Sequence, residues 1–233
     1  MRLEVVLSPL LYPCRTITAN HATVAIDVLR ATTALCAAFT AGCQSIVPLD
    51  TLDDISRYRQ MGYKLAAERN GAKVGDAEYG NSPTEYLRTD MHGTKLAFST
   101  TNGTRTLLLA AGSGTVMAGC FANLSALCQK LRDGRTDTVL LCSGWKGDFC
   151  IEDTLVAGAV IEQLADISSP FGDAAHMALS LWQMAKHDLH GFCASASHVQ
   201  RLVSLGAQED VDFALRTDTC PVVPTLTDGQ LTI

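Results

Sequence analysis

Residues 96–119 read LAFSTTNGTRTLLLAAGSGTVMAG, and this stretch gives the clearest indication of the fold. The run Lys95–Phe98 predicts a short buried strand, and the apolar run Thr106–Ala111 predicts a helix. Between them lies a polar turn, Ser99–Arg105, with four hydroxyl side chains and one glycine. This unit is typical of α/β anion sites, because free N–H groups of the turn and of the helix start face an oxyanion. The same residues also fit an ordinary strand-to-helix turn in which a threonine caps the N-terminus of the helix.

Strands and helices alternate along the rest of the chain. The hydrophobic pattern predicts strands over residues 3–7, 23–27, 45–49, 65–67, 115–118 and 137–142. It predicts helices over residues 34–41, 51–61, 123–131, 154–164, 173–186, 195–205 and 211–215. The alternation predicts a three-layer α/β/α fold around a mainly parallel sheet, with a mixed sheet as the alternative. No break in composition marks a boundary, so residues 1–233 are predicted to form a single domain.

Composition excludes several classes of function. The chain has 233 residues and a net charge of −6, which argues against a general nucleic-acid surface. No apolar run reaches transmembrane length, so no membrane partner is expected. The nine cysteines are an odd number and form no C-x-x-C pair, which favours a reducing, cytoplasmic setting over disulfides or a zinc site. A homo-oligomer is left open.

Three predicted strands end in polar turns that open helices. The turns are 26–33, 99–105 and 142–153, and a fourth polar turn follows Glu68. Ligands of open α/β sheets bind outside the carboxyl ends of the strands. All four turns are therefore expected to face one crevice.

The side chains on these turns point to a chemistry. They supply carboxylates (Asp27, Glu68, Glu78, Asp148, Glu152, Asp153) and cations (Arg30, Arg69, Arg105, Lys146). Carboxylate and hydroxyl oxygens suit Mg²⁺, and arginine suits a phosphoryl group or a second anion. Together they indicate Mg²⁺-assisted phosphoryl transfer from a small polyanion to water. Two alternatives stay open, a Mg²⁺-dependent lyase or isomerase acting on a similar acid and a non-catalytic anion-binding protein.

Motifs along nearly the whole chain resemble one known family. They are IDVLRAT (26–32), ERNG (68–71), NSP (81–83), TTNGTR (100–105), the G-x-x-G-x-F-x-x-E-D run (144–153), H-x-x-R (198–201) and the closing Val-Pro (223–224). In this order they resemble the Mg²⁺-dependent 2-phosphosulfolactate phosphatases of coenzyme M biosynthesis. The resemblance implies an α/β fold and the hydrolysis of (2R)-phospho-3-sulfolactate, a small-molecule phosphoester, to 3-sulfolactate and phosphate. Cys150 departs from the serine expected at its position.

Roles for individual residues follow from the turns and the resemblance together. Asp27 is expected to be a metal ligand or the nucleophile, with Glu68 and Asp153 as further metal ligands. Glu152 and Glu68 are candidate acid–base groups, and Arg30 and Arg105 are expected to bind oxyanions. The remaining expected substrate-binding residues are Arg69, Asn81, Ser82, Thr100, Thr101, Asn102, Gly103 and Thr104. Direct attack by water and a phospho-enzyme through Asp27 both remain open.

Overall fold

The computed structural model describes residues 1–14 and 20–233. Its strands are β1 Arg2–Val6, β2 Ala22–Ile26, β3 Ser45–Pro48, β4 Tyr63–Arg69, β5 Ala72–Lys73, β6 Lys95–Ser99, β7 Thr115–Gly119, β8 Thr138–Cys142, β9 Ser169–Phe171, β10 Thr225–Thr227 and β11 Gln230–Thr232. Its α-helices are α1 Ala31–Thr40, α2 Ile55–Gln60, α3 Pro83–Leu87, α4 Gly103–Ala110, α5 Leu124–Gly134, α6 Ile151–Gln163, α7 Asp173–Ala185, α8 Leu189–Cys193, α9 Ser197–Ser204 and α10 Gln208–Ala214. None of these helices is long and apolar enough to cross a bilayer.

The described strands form one mixed sheet in the order β5-β4-β6-β3-β11-β10-β7-β2-β8-β1-β9. One parallel block contains β4, β6 and β3, and a second contains β7, β2, β8, β1 and β9. The hairpin β10–β11 joins them through three antiparallel pairings, to β3, within the hairpin, and to β7. Three reversals make the two parallel blocks run in opposite directions.

Alternate residues of the central strands enter two separate cores. Val24 and Ile26 of β2 pack into one core with the helices α5, α6 and α7, whereas Ala25 packs into a second core with α1. All five residues of β2 and of β8 are buried. Because neighbouring side chains of a strand point to opposite faces, burial of both kinds means that helices cover both faces of the sheet. The predicted α/β/α layering with a mainly parallel, partly mixed sheet is confirmed.

Several predicted boundaries differ from the observed ones, and four strands have no counterpart in the prediction. The helices α4 and α6 each begin three residues earlier than predicted, because their polar first turns break the apolar pattern. The predicted helix over 51–61 is confined to Ile55–Gln60. The missed strands are the short pieces β5, β9, β10 and β11, of two or three residues each. The edge strand β9 also contains Pro170, which is tolerated at a sheet edge but weakens a sequence signal.

Candidate active site

One cleft collects the polar turns that follow β2, β4, β6 and β8. The space inside it that a water molecule can occupy is about 50 Å³. Its lining residues, which define what we call the Asp27 cleft, are Asp27, Leu29, Arg30, Glu68, Asn70, Gly71, Asn81, Thr100, Thr101, Asn102, Trp145, Lys146, His198, Arg201 and Leu202. The expectation of one shared crevice therefore agrees with the structure, although the turns come from two blocks of opposite direction.

Asp27 lies at the base of this cleft, directly after β2. Its side chain is 7% exposed, and its Oδ1 accepts a hydrogen bond from the Ala31 backbone N–H at 3.2 Å. The start of α4 comes very close, because a Cβ on Gly103 would lie 2.7 Å from Asp27 Oδ2 and 2.3 Å from the Ala31 Cβ. Position 103 therefore requires glycine so that α4 can approach Asp27.

Two further carboxyl groups are buried beside Asp27. Glu152 and Asp153 open α6 and are 1% and 3% exposed. Asp153 accepts backbone N–H groups of both neighbouring turns, Val28 at 2.9 Å and Gly144 at 3.0 Å. The Asp153 carboxyl thus joins the turn after β2 to the turn after β8, and neither Glu152 nor Asp153 lines the cleft.

Burial shifts the titration of all three carboxyl groups in the same direction. Desolvation, followed by the charge of Asp153, raises the pKa of Asp27 to about 8. Desolvation raises the pKa of Glu152 to about 7, and the charge of Asp27 adds to it. Desolvation and the charge of Glu152 raise the pKa of Asp153 to about 8. Near neutral pH, the three buried carboxyl groups therefore have too little positive charge beside them to keep their ordinary low pKa values.

Several oxygen atoms at this site have no hydrogen-bond partner. Asn81 Oδ1, Thr101 Oγ1 and Glu152 Oε2 are buried and lack one among the described residues. Glu68, also on the cleft wall, accepts the Gly71 N–H through its Oε1. Within residues 1–14 and 20–233, no three His, Cys, Asp or Glu side chains form a group that could hold a metal ion by themselves.

The three arginines expected to bind oxyanions or substrate have other partners. Arg30 lines the cleft, but it forms a buried ion pair with Asp210 at 2.8 Å and donates to the Gly71 carbonyl at 2.9 Å. Arg69 donates to the Ser99 side chain and carbonyl. Arg105 lies outside the cleft, in a neighbouring groove, where it is 71% exposed and 3.4 Å from Asp50. Arg30 stands three residues after Asp27, close enough in sequence for the two side chains to pair. In the structure Arg30 pairs with Asp210 and not with Asp27.

The TTNGTR turn combines a hydrogen-bonded cap with residues that line the cleft, and Thr100 belongs to both. Thr100 and Thr104 cap each other: each Oγ1 accepts the other's backbone N–H, at 3.2 and 3.1 Å. Thr101 and Asn102 line the cleft at the start of α4. The capped-turn alternative therefore describes Thr100 and Thr104. The anion-site hypothesis remains open for Thr101 and Asn102.

Ser82 and two of the predicted acids lie apart from the cleft wall. Ser82 caps α3 by accepting the Glu85 N–H, and it donates to Asp210 at 2.7 Å. Glu78 accepts the Leu65 N–H, and neither Glu78 nor Asp148 lines the cleft.

Five residues of the site with polar or aromatic side chains were not among the predicted site residues. Asn70, Trp145, His198 and Arg201 line the cleft, and Asp210 supports it from α10. His198 Nε2 lies 2.7 Å from the Leu29 carbonyl oxygen, and burial lowers the pKa of this histidine. Trp145 could have been found, since it stands in the third polar turn, and His198 and Arg201 stand in a motif of the resemblance. No local sequence pattern indicates that Asp210 belongs to the site.

Comparison with known proteins assigns this arrangement to a class of enzyme. A family model described as 2-phosphosulpholactate phosphatase matches residues 10–229. A "Probable 2-phosphosulfolactate phosphatase" of Thermotoga petrophila is 35% identical over 217 residues, which cover 93% of each chain. A protein of the same name from Microcystis aeruginosa is 36% identical over 232 residues, covering 96% of this chain and 95% of its own. A third, from Synechococcus sp. (strain JA-3-3Ab), is 39% identical and covers 86% of both.

The matches agree in class, because each names a phosphatase, which is a phosphoric monoester hydrolase. The chain belongs to the 2-phosphosulfolactate phosphatase family. The resemblance expected from the motifs is thereby confirmed.

Proposed function

We propose that this enzyme hydrolyses the phosphate ester of 2-phospho-3-sulfolactate, giving 3-sulfolactate and phosphate, with Mg²⁺ as cofactor. Such a substrate and product belong to coenzyme M biosynthesis. The observation that supports the proposal most is the Asp27 cleft itself. It combines a buried carboxyl group, that of Asp27, with a polar turn at the start of α4. We further propose a cytoplasmic setting, on the basis of the nine cysteines without a paired motif.

The donor set fits a magnesium ion. Mg²⁺ takes oxygen ligands and is commonly held by one or two carboxylates, the rest being water and substrate phosphate oxygens, so a group of three acidic side chains is not required. Asp27 and Glu68 are the carboxylates of the cleft wall, and Asn81 and Thr101 offer unpartnered oxygens nearby. These residues would hold the ion, and when bound it would neutralise phosphate charge and polarise the ester. Asp153 acts behind them, through its two backbone hydrogen bonds.

The protein's own groups account for binding and orientation. The phosphate lies against Thr101 and Asn102 at the N-terminus of α4, where backbone dipoles favour an anion. Asp27 either orients the attacking water and takes its proton, or attacks phosphorus itself and is freed when water hydrolyses the aspartyl phosphate. In both cases the bond from phosphorus to the ester oxygen breaks as the new bond forms, and that oxygen takes a proton from water to leave as the hydroxyl of 3-sulfolactate. Glu152 lies beside Asp27 and off the cleft wall, so it acts on the charge state of Asp27. Arg30 positions the loop through its contacts with Asp210 and Gly71.

A phosphate-release assay tests the proposal. The purified protein is given 2-phospho-3-sulfolactate and a panel of other phosphate monoesters, with Mg²⁺ or with a chelator. We expect release from the sulfonated ester to exceed that from the others, and to stop with chelator and in Asp27→Ala. The matched control is Asp54→Ala, an exposed aspartate at the start of α2 whose side chain makes no capping hydrogen bond. If folded, Mg²⁺-supplied protein releases no phosphate from any ester, the proposed function is wrong.

The raised pKa values predict how metal-free protein responds to pH. A carboxyl group whose pKa is higher in the folded protein than in the unfolded chain stabilises the fold below the unfolded pKa, near 4. This contribution is lost as pH rises through the folded pKa, here about 7 to 8. We expect Tm to fall by on the order of 10 °C between pH 6 and 9.

Added Mg²⁺ is expected to restore Tm, and to do so more at pH 9 than at pH 6. Thermal unfolding with chelator, with Mg²⁺ and with NaCl of equal ionic strength measures this. His198 contributes in the opposite direction only below its ordinary pKa near 6.5, because burial lowers its pKa. A Tm that rises between pH 6 and 9 without metal would contradict the buried-charge description of the site.

A further inference from the structure

The cations that line the Asp27 cleft differ in how their charges are balanced. Arg30 is neutralised by Asp210 at 2.8 Å. Lys146 and Arg201 line the same cleft, and neither forms a salt bridge with any carboxylate in the part of the chain that the structure describes. The guanidinium of Arg201 donates to the Asn70 carbonyl at 2.6 Å, which fixes its position without cancelling its charge. The cleft therefore holds two cations that form no salt bridge with any carboxylate of residues 1–14 and 20–233.

An aromatic ring holds these two cations together. Lys146 Nζ lies 4.7 Å from the centroid of the Trp145 ring, and the Arg201 guanidinium carbon lies 5.3 Å from it. The Trp145 ring also packs on the His198 ring, with centroids 5.4 Å apart. Contact with an aromatic face orients a cation and costs it part of its hydration. We call Trp145, Lys146 and Arg201 the tryptophan cluster.

The backbone beneath Lys146 is held in a conformation that L-residues seldom adopt. Its φ is +55°, and Gly144, two residues earlier, has φ +59°. A Cβ on Gly144 would lie 2.0 Å from the Asp148 carbonyl oxygen, so this tight turn needs glycine there. A lysine in the left-handed region is strained relative to glycine. Keeping lysine at 146 therefore favours a function for its charge.

We propose that Lys146 and Arg201 bind the sulfonate group of the substrate and so determine specificity. This inference rests on the proposed function. The phosphate is accounted for by Asp27 and the start of α4, and the sulfonate stands two carbon atoms away from the ester oxygen. A sulfonate keeps one negative charge at any working pH, offers three oxygen acceptors and is weakly hydrated, as a guanidinium is. Two unneutralised cations on an aromatic wall of the same small cleft match that group.

Binding of the product provides a test that does not need turnover. The chain has two tryptophans, so Trp182→Phe leaves Trp145 as the sole tryptophan and as a reporter inside the cluster. In this background, 3-sulfolactate and lactate are titrated and Trp145 fluorescence is followed. We expect 3-sulfolactate to bind at least 10-fold more tightly than lactate, and Arg201→Met and Lys146→Gly each to remove most of that difference. Lys146→Gly also relieves the strained φ, so its fold is expected to be retained.

Kinetics with two esters give the second readout. For 2-phospho-3-sulfolactate, each variant is expected to raise KM about 10- to 100-fold, with kcat changed less than about threefold. For 2-phospholactate, which lacks the sulfonate, KM is expected to stay the same. The matched control is Lys95→Met: Lys95 Nζ also lies over an aromatic ring, 5.8 Å from that of Tyr63, but it does not line the cleft.

The possible results separate this inference from the proposed function. Equal weakening of 3-sulfolactate and lactate by the variants would mean that the two cations bind the carboxylate, which overturns the inference. Equal affinity of the unmodified cluster for both ligands would also overturn it. Selective 3-sulfolactate binding without phosphate release from any ester would support the sulfonate site and refute the proposed hydrolysis.

Discussion

Asp27→Asn is expected to lower kcat by about 10³-fold or more and, at the same time, to raise the Tm of the metal-free protein. The loss of activity follows because asparagine neither attacks phosphorus nor carries the charge that holds Mg²⁺. The gain in stability follows because burial and the neighbouring Asp153 charge raise the pKa of Asp27 to about 8. At pH 8 to 9 the native fold therefore has to accommodate a charge that the neutral amide removes. Asparagine keeps the Oδ1 acceptor for the Ala31 N–H.

The size of the stability change is expected to depend on pH. At pH 9 we expect Asp27→Asn to raise Tm by roughly 5 °C or more, and at pH 3.5, where the carboxyl group is protonated in the fold and largely protonated in the unfolded chain, by almost nothing. The exposed Asp54→Asn is the control and is expected to change neither kcat nor Tm. An active Asp27→Asn variant would remove Asp27 from the mechanism. An inactive variant whose Tm falls at pH 9 would assign Asp27 a mainly structural role.

Local sequence patterns predict the turns and the layers of this fold. They do not predict that the two parallel blocks of the sheet run in opposite directions. Each strand that precedes a polar turn has enough consecutive apolar residues to be recognised, as in β2 and β8. The reversal between the blocks depends on β10 and β11, which have three residues each and no distinctive pattern. The expectation that four turns meet at one crevice agrees with the structure, but the assumption of a single parallel edge behind it is wrong.

The partners of the charged side chains were harder to predict than the positions of the turns. An arginine on a polar turn can bind a ligand or pair with a distant carboxylate, and the sequence does not distinguish the two. Arg30 has its partner 180 residues away, in α10, and no local spacing reveals such a contact. Lys146 was among the cations expected at the crevice, and it lies there, because its turn follows a recognisable strand. The ligand roles of Asp27 and Glu68 stay predictions. For Asp153 the proposal replaces the expected ligand role by support of two turns, because its two oxygens accept the Val28 and Gly144 N–H groups.

Asp210→Ala is the second change with a large expected effect. Asp210 is buried, pairs with Arg30 at 2.8 Å, and accepts the hydroxyls of Ser82 at 2.7 Å and Thr84 at 2.6 Å. Removing it leaves a buried guanidinium without a counterion, which costs about 3–5 kcal/mol of the free energy of unfolding. Urea unfolding monitored by circular dichroism measures this cost. The control is Asp212→Ala in the same helix, a half-exposed residue expected to change stability by less than about 0.5 kcal/mol.

A double replacement separates stability from function at this ion pair. Arg30→Met with Asp210→Leu replaces both charges by apolar groups, so no unpaired charge remains and most of the loss caused by Asp210→Ala is expected to be recovered. Phosphate release is nevertheless expected to stay at least 10-fold below that of the unmodified enzyme. Arg30 connects the turn after β2 to the Gly71 carbonyl, which also lines the cleft, and methionine cannot donate that hydrogen bond. A double variant that recovers both stability and activity would show that neither charge is needed for phosphate release. One that recovers stability alone would show that the hydrogen bond from Arg30 to Gly71 is needed for phosphate release.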